Sequence, residues 1–180
     1  MSIGRLLLRL TVGSVFVGHG TQKLFGWFGG IGLDATAEGF EKIGLRPGRS
    51  NAIAAGAAEA GGGALLVAGL ATPVAASVLT AAMLTAIHRV HWKNGPWLSN
   101  GGYEYNAVLI AALLAIAEVG PGELSLDAAL GRERFGRGRA LATLGVGALG
   151  AVAAHAFAQR SPVPGPPAGA GDDEAATQAG

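Results

Sequence analysis

The chain has 180 residues, of which half are apolar and only 14% charged. A charged fraction so far below the usual quarter excludes an ordinary water-soluble surface, and an Ala-rich soluble bundle would alternate charged and apolar residues where long stretches here carry no charge. The net charge of +1 gives no basic footprint for nucleic acid, and the absence of cysteine excludes disulfides, thiolate nucleophiles, Cys-held zinc and iron–sulfur clusters together.

The first apolar run predicts a helix over about 4–25, long enough to span a bilayer. Arg5 and Arg9 can snorkel back to the surface from which it starts, while Phe25, Trp27 and Phe28 suit the opposite headgroup layer. No small-x-small cleavage site with a polar start follows, so the run reads as a retained helix and not as a secretory signal. Residues 29–51 are mixed: Asp34 can cap a short helix lying on the membrane, Glu38 and Lys42 can pair at i,i+4, and Gly44 can stop it. Ser50 or Asn51 then caps an apolar helix over about 52–70, in which Glu59 is the one ionisable residue. Ala71, Thr72 and Pro73 leave room only for a tight turn, so the third helix, about 74–92, returns antiparallel to the second.

A polar loop with Pro96 leads to a fourth helix over about 103–119. Residues 120–139 form a polar loop holding Arg132, Arg134, Arg137 and Arg139, the densest basic cluster in the chain, which places that loop and the N-terminus in the cytoplasm. Residues 140–158 are apolar but rich in Ala and Gly, a candidate fifth span at the margin of insertion scales. From 159 to 180, Pro, Gly and Ala with Asp172, Asp173 and Glu174 cannot pack a core, and a disordered tail is expected. The expected fold is all-α, an integral membrane four-helix bundle with a candidate fifth transmembrane helix.

The chemistry gathers at one face. Trp27, Trp92, Trp97, Tyr103 and Tyr105, which are all the tryptophans and tyrosines, fall at the end of the first helix, the end of the third or the start of the fourth. An aromatic belt alone would account for them if it were not one-sided. His19 lies six residues before Phe25 and Glu59 seven after Ala52, so each sits roughly 9 to 10 Å below that face at 1.5 Å per residue. A carboxylate in hydrocarbon costs several kcal/mol unless it is neutral or paired, so Glu59 should face the bundle interior with His19 or Lys23 as its partner; the bland alternative is a polar contact that glues helices. Ala52, Gly56, Ala60, Ala64 and Ala68, at intervals of four, are read as a close-packing stripe and, alternatively, as a slot beside Glu59. His88 and His91 stand three apart but read as an interfacial helix end with Arg89 and Trp92, and no metal site is expected.

Arg9, Gly13, Phe16, His19, Gly20, Lys23 and Leu24, then Glu59, Gly62 and Gly63, then Gly102, Tyr103, Glu104 and Tyr105 resemble the DoxX family of small bacterial membrane proteins over roughly residues 4 to 119. The resemblance implies a four-helix protein of the bacterial cytoplasmic membrane, related to the quinone-linked DoxD subunit of thiosulfate oxidation and associated in some cases with thiol and oxidative-stress partners. His19, Lys23, Glu59 and Glu104 are the polar positions that match the family's pattern. The Arg-rich loop, the candidate fifth helix and the tail depart from it.

The expected function is a membrane component of an oxidoreductase system, with a quinone-like molecule bound near the outer face. His19, Lys23 and Glu59 are the expected catalytic residues, and His91, Trp92, Glu104 and Tyr105 the expected cofactor-binding ones. With no cysteine, electrons must come from a partner enzyme, a redox subunit or a separately bound cofactor. Beyond the lipid bilayer, a homo-oligomer is a further candidate partner. Two alternatives are a non-enzymatic anchor that recruits a partner enzyme and a proton-coupled carrier, although inverted repeats and broken helices are not evident.

Overall fold

The computed structural model describes residues 2–160, and among them every regular element is helical. Seven α-helices follow one another: α1 (Ile3–Phe25), α2 (Gly32–Lys42), α3 (Gly48–Ala68), α4 (Thr72–Ala86), α5 (Glu104–Val119), α6 (Leu126–Ala129) and α7 (Arg137–Arg160). α4 runs on through a π turn at Ile87–His91 and a 3-10 turn at Trp92–Asn94. α1 stops where Gly26 turns left-handed at φ 72°, and α3 where Gly69 does so at φ 65°. Of the tail expected over 159–180, Gln159 and Arg160 belong to α7, and the remainder lies outside the described residues.

The long helices pack by the smallness of their contact residues. α1 and α3 cross antiparallel with backbones nearly touching: a Cβ on Gly20 would lie 2.3 Å from the Ala60 nitrogen, and one on Gly63 would lie 2.6 Å from the Gly13 carbonyl oxygen. Gly56 and Ala60 of the α3 stripe, with Gly63 outside it, therefore form a packing surface for α1. α3 packs on α4, α4 on α5 and α5 on α1, closing a ring around Phe16, Leu66, Leu79, Leu113 and Ile116, all fully buried. α7 lies outside that ring against α4 and α5, parallel to α4, with Gly147 over Thr80 and Gly150 over Ala81. Its outward residues, among them Leu141, Leu149 and Val152, are exposed apolar side chains suited to lipid. α2 crosses α3 and α1 at the end of the bundle where α1 finishes, hereafter the aromatic end.

Among the described residues, three helices are long and apolar enough to cross a membrane: α3, α4 with its extension to Asn94, and α7. The chain is thus a multi-pass membrane protein. The marginal segment 140–158 is one of the three, whereas α1, with Arg5, Arg9 and Lys23, and α5, with 16 residues, do not meet that criterion.

The opposite end corrects the expectation that Arg9 snorkels to the surface. Arg9 is buried, and its guanidinium donates to the carbonyls of Pro121 (2.6 Å) and Leu124 (2.5 Å), while Arg5 donates to Val119 (3.0 Å). Buried Asp127, in α6, accepts from the Ala71 and Thr72 amides and from the Thr72 hydroxyl, each at 2.9 Å. It thereby caps α4, whose preceding residue Ala71 is left-handed at φ 48°. The loop after α5 is sewn to α1 and to the α3–α4 turn.

Candidate functional site

At the aromatic end the ring does not close. A cavity of about 600 Å³ opens between α1, α3, α4 and α5, with Phe40, Ile43 and Leu45 from α2 and the residues after it covering one side and Gly150 and Ala154 of α7 another. Its walls are mainly Ala, Val, Leu and Met, and its polar residues include His19, Lys23, Glu59, Arg89, His91 and Tyr105.

Glu59 is buried, and its Oε2 lies 2.5 Å from the Lys23 ammonium. The close α1–α3 crossing at Gly20 and Ala60 brings the two side chains together. Of the two partners considered for Glu59, Lys23 makes the contact; His19, exposed, lines the same cavity without a hydrogen bond to a described residue.

His91 sits at the end of the π turn, a helix form frequent at functional sites. Its Nδ1 lies 2.7 Å from the Gly101 carbonyl oxygen. A carbonyl only accepts, so Nδ1 donates to it and Nε2 is left facing away from that bond. Glu104, at the start of α5, accepts the Leu98 amide at 2.7 Å, and Trp92 stacks on Tyr103 with ring centroids 5.6 Å apart. Both hold the 95–103 loop in place, and neither lines the cavity.

Five of the seven expected site residues, His19, Lys23, Glu59, His91 and Tyr105, therefore surround one space, and Trp92 and Glu104 support its rim. His88 and His91 diverge: His88 packs edge-on against His155 of α7, with ring centroids 5.0 Å apart. Two residues lining the cavity were not singled out from the sequence for its chemistry. Arg89 looked like an ordinary helix-end cation. Asn106, buried in the first turn of α5 with its amide 3.3 Å from the Met83 sulfur, carried no local signal beyond being polar in an apolar run.

The DoxX family model matches residues 4–92. A curated relative from Bacillus subtilis (strain 168), described as "Putative oxidoreductase CatD", is 34% identical over 125 residues, covering 69% of this chain and 85% of the relative. No solved structure matches the chain.

Proposed function

The chain belongs to the DoxX family, and from that premise we propose that it is the membrane component of an oxidoreductase system and binds a quinone-like molecule in the cavity at the aromatic end. The observation that carries this reading is the Lys23–Glu59 pair set in the wall of a largely apolar cavity of about 600 Å³. The description of the Bacillus subtilis relative as an oxidoreductase supports it. In this reading α1 and α5 also cross the bilayer, the N-terminus is cytoplasmic, and the cavity lies toward the outer face of the bacterial cytoplasmic membrane.

The residues fit such a group. A flat ring with two oxygen acceptors needs apolar walls and a few donors, which the Ala-rich faces of α3 and α4, the Lys23 ammonium and the Tyr105 hydroxyl supply. When bound, a quinone takes up two electrons and two protons on reduction. Because the chain has no cysteine, the electrons come from a partner enzyme, a redox subunit or a separately held cofactor. Lys23 donates to one ligand oxygen while Glu59 fixes its position. Glu59 and His91 hold and pass protons, and exposed His19 exchanges them with water at the rim.

Glu59→Gln keeps the shape and removes the proton-accepting charge. In membranes with the partner present, quinone-dependent turnover is expected to fall at least tenfold with unchanged insertion. Unchanged turnover would remove Glu59 from the mechanism.

A further inference from the structure

Among the described residues lining the cavity, Lys23 and Arg89 are the two Lys or Arg side chains and Glu59 is the one carboxylate. Lys23 and Glu59 neutralise each other. Arg89 is left over: it makes no hydrogen bond or ion pair with any described residue, and its Nε and Nη2 are shielded from solvent with no acceptor. On its α7 side stand His88 and His155, which offer it no carboxylate. Nη1 lies against Gly44, at the end of α2, where a Cβ would come to 3.4 Å. A guanidinium with buried, unsatisfied donors is costly, and guanidinium is the side chain whose forked donors best fit a carboxylate or phosphate.

We infer that Arg89 binds the oxyanion, carboxylate or phosphate, of an amphiphile whose apolar part fills the cavity. The inference rests on the reading of this cavity as the ligand site and adds the charge of its occupant. Two sources share this chemistry, a free organic acid and an anionic lipid headgroup. A neutral quinone ring satisfies Lys23, Tyr105 and His91 but leaves Arg89 unpaired, whereas an acidic group beside the ring completes the site.

The test uses the full chain in phosphatidylcholine nanodiscs, titrated calorimetrically with octanoate, octyl phosphate, neutral octanol and decylubiquinone. Wild type is expected to bind the two anions above the octanol background. Arg89→Gln is expected to weaken that binding at least tenfold while leaving decylubiquinone binding within about twofold. Arg89→Lys, which keeps charge but not the fork, should fall between them. In a second arm, nanodiscs containing phosphatidylglycerol are examined by native mass spectrometry. An Arg89-dependent lipid adduct assigns the oxyanion to a headgroup, and octanoate binding without an adduct assigns it to a free acid. Anion binding and lipid adducts that are the same in wild type and Arg89→Gln overturn the inference. Arg89-dependent anion binding with no decylubiquinone binding would overturn the quinone reading alone and leave this one standing.

Discussion

Lys23 of α1 and Glu59 of α3 meet at 2.5 Å where the two helix backbones are kept close by Gly20 and Ala60. Breaking the pair from one side leaves the buried carboxylate alone, and the cost follows the burial of the survivor: Glu59 is 6% exposed at the side chain and Lys23 27%. Lys23→Met is therefore expected to destabilise the protein by about 2 kcal/mol, and more than Glu59→Gln. The double variant Lys23→Met/Glu59→Leu should recover part of the loss. Thermal unfolding in nanodiscs orders the variants, and a Lys23→Met protein as stable as wild type would deny the pair its role.

The same crossing gives a second prediction. A methyl on Gly20 meets α3 backbone, so Gly20→Ala must push α1 from α3 and is expected to cost about 1–3 kcal/mol. A Cβ on Gly18, two residues away, meets nothing within 4 Å. Gly18→Ala should be neutral or stabilise by about 0.5–1 kcal/mol through helix propensity. Equal behaviour of the two variants in thermal unfolding would contradict the close crossing.

Asp127 holds the start of α4 from 55 residues away, through two amides and a hydroxyl. Asp127→Ala is expected to destabilise by about 2 kcal/mol. Hydrogen exchange should accelerate at the Ala71 and Thr72 amides while the amides of the α1–α3 crossing stay protected. Uniformly faster exchange across the bundle would mean a global, not a capping, role.

The sequence contains no cysteine, so single cysteines report topology cleanly. In intact cells, Trp97→Cys at the exposed aromatic end is expected to react with a membrane-impermeant maleimide. Arg132→Cys, in the loop at the other end, should react only after permeabilisation, and Leu149→Cys on the lipid-facing side of α7 in neither case. Labelling of Arg132→Cys from outside would reverse the proposed orientation.

Much of this architecture was legible in the apolar runs. The runs at 4–25, 52–70, 74–92 and 103–119 anticipate α1, α3, α4 with its extension, and α5 within a few residues, because an unbroken apolar stretch bounded by Gly, Pro or charge leaves little freedom in where a helix ends. Counting helical rise also put His19 and Glu59 at one level, with Lys23 one turn nearer the surface, and all three line the cavity. Counting rise locates backbones and not side-chain reach, so it left His19 and Lys23 as equal partners for Glu59. Arg9 was misread because its acceptors, the carbonyls of Pro121 and Leu124, lie more than a hundred residues away and leave no trace near Arg9 itself. Glu104 and Trp92 share their segment with cavity residues, and only the folded loop shows Glu104 accepting the Leu98 amide and Trp92 stacked on Tyr103 outside the cavity. α6 was hidden for another reason: four residues in a polar loop carry no periodicity, and its stability comes from the Ser125 cap and from Asp127's bonds to α4.

A quinone-like molecule held in the cavity by way of Lys23 and Glu59 should leave the membrane with the protein. The most direct measurement is organic extraction and chromatography of the full chain purified in mild detergent, as wild type and as Glu59→Gln and Lys23→Met. Quinone copurifying in near-stoichiometric amount with wild type, and severalfold less with both variants, is the predicted result. Wild-type protein that carries no quinone and binds none when it is added back, or variants that retain as much as wild type, would contradict the account.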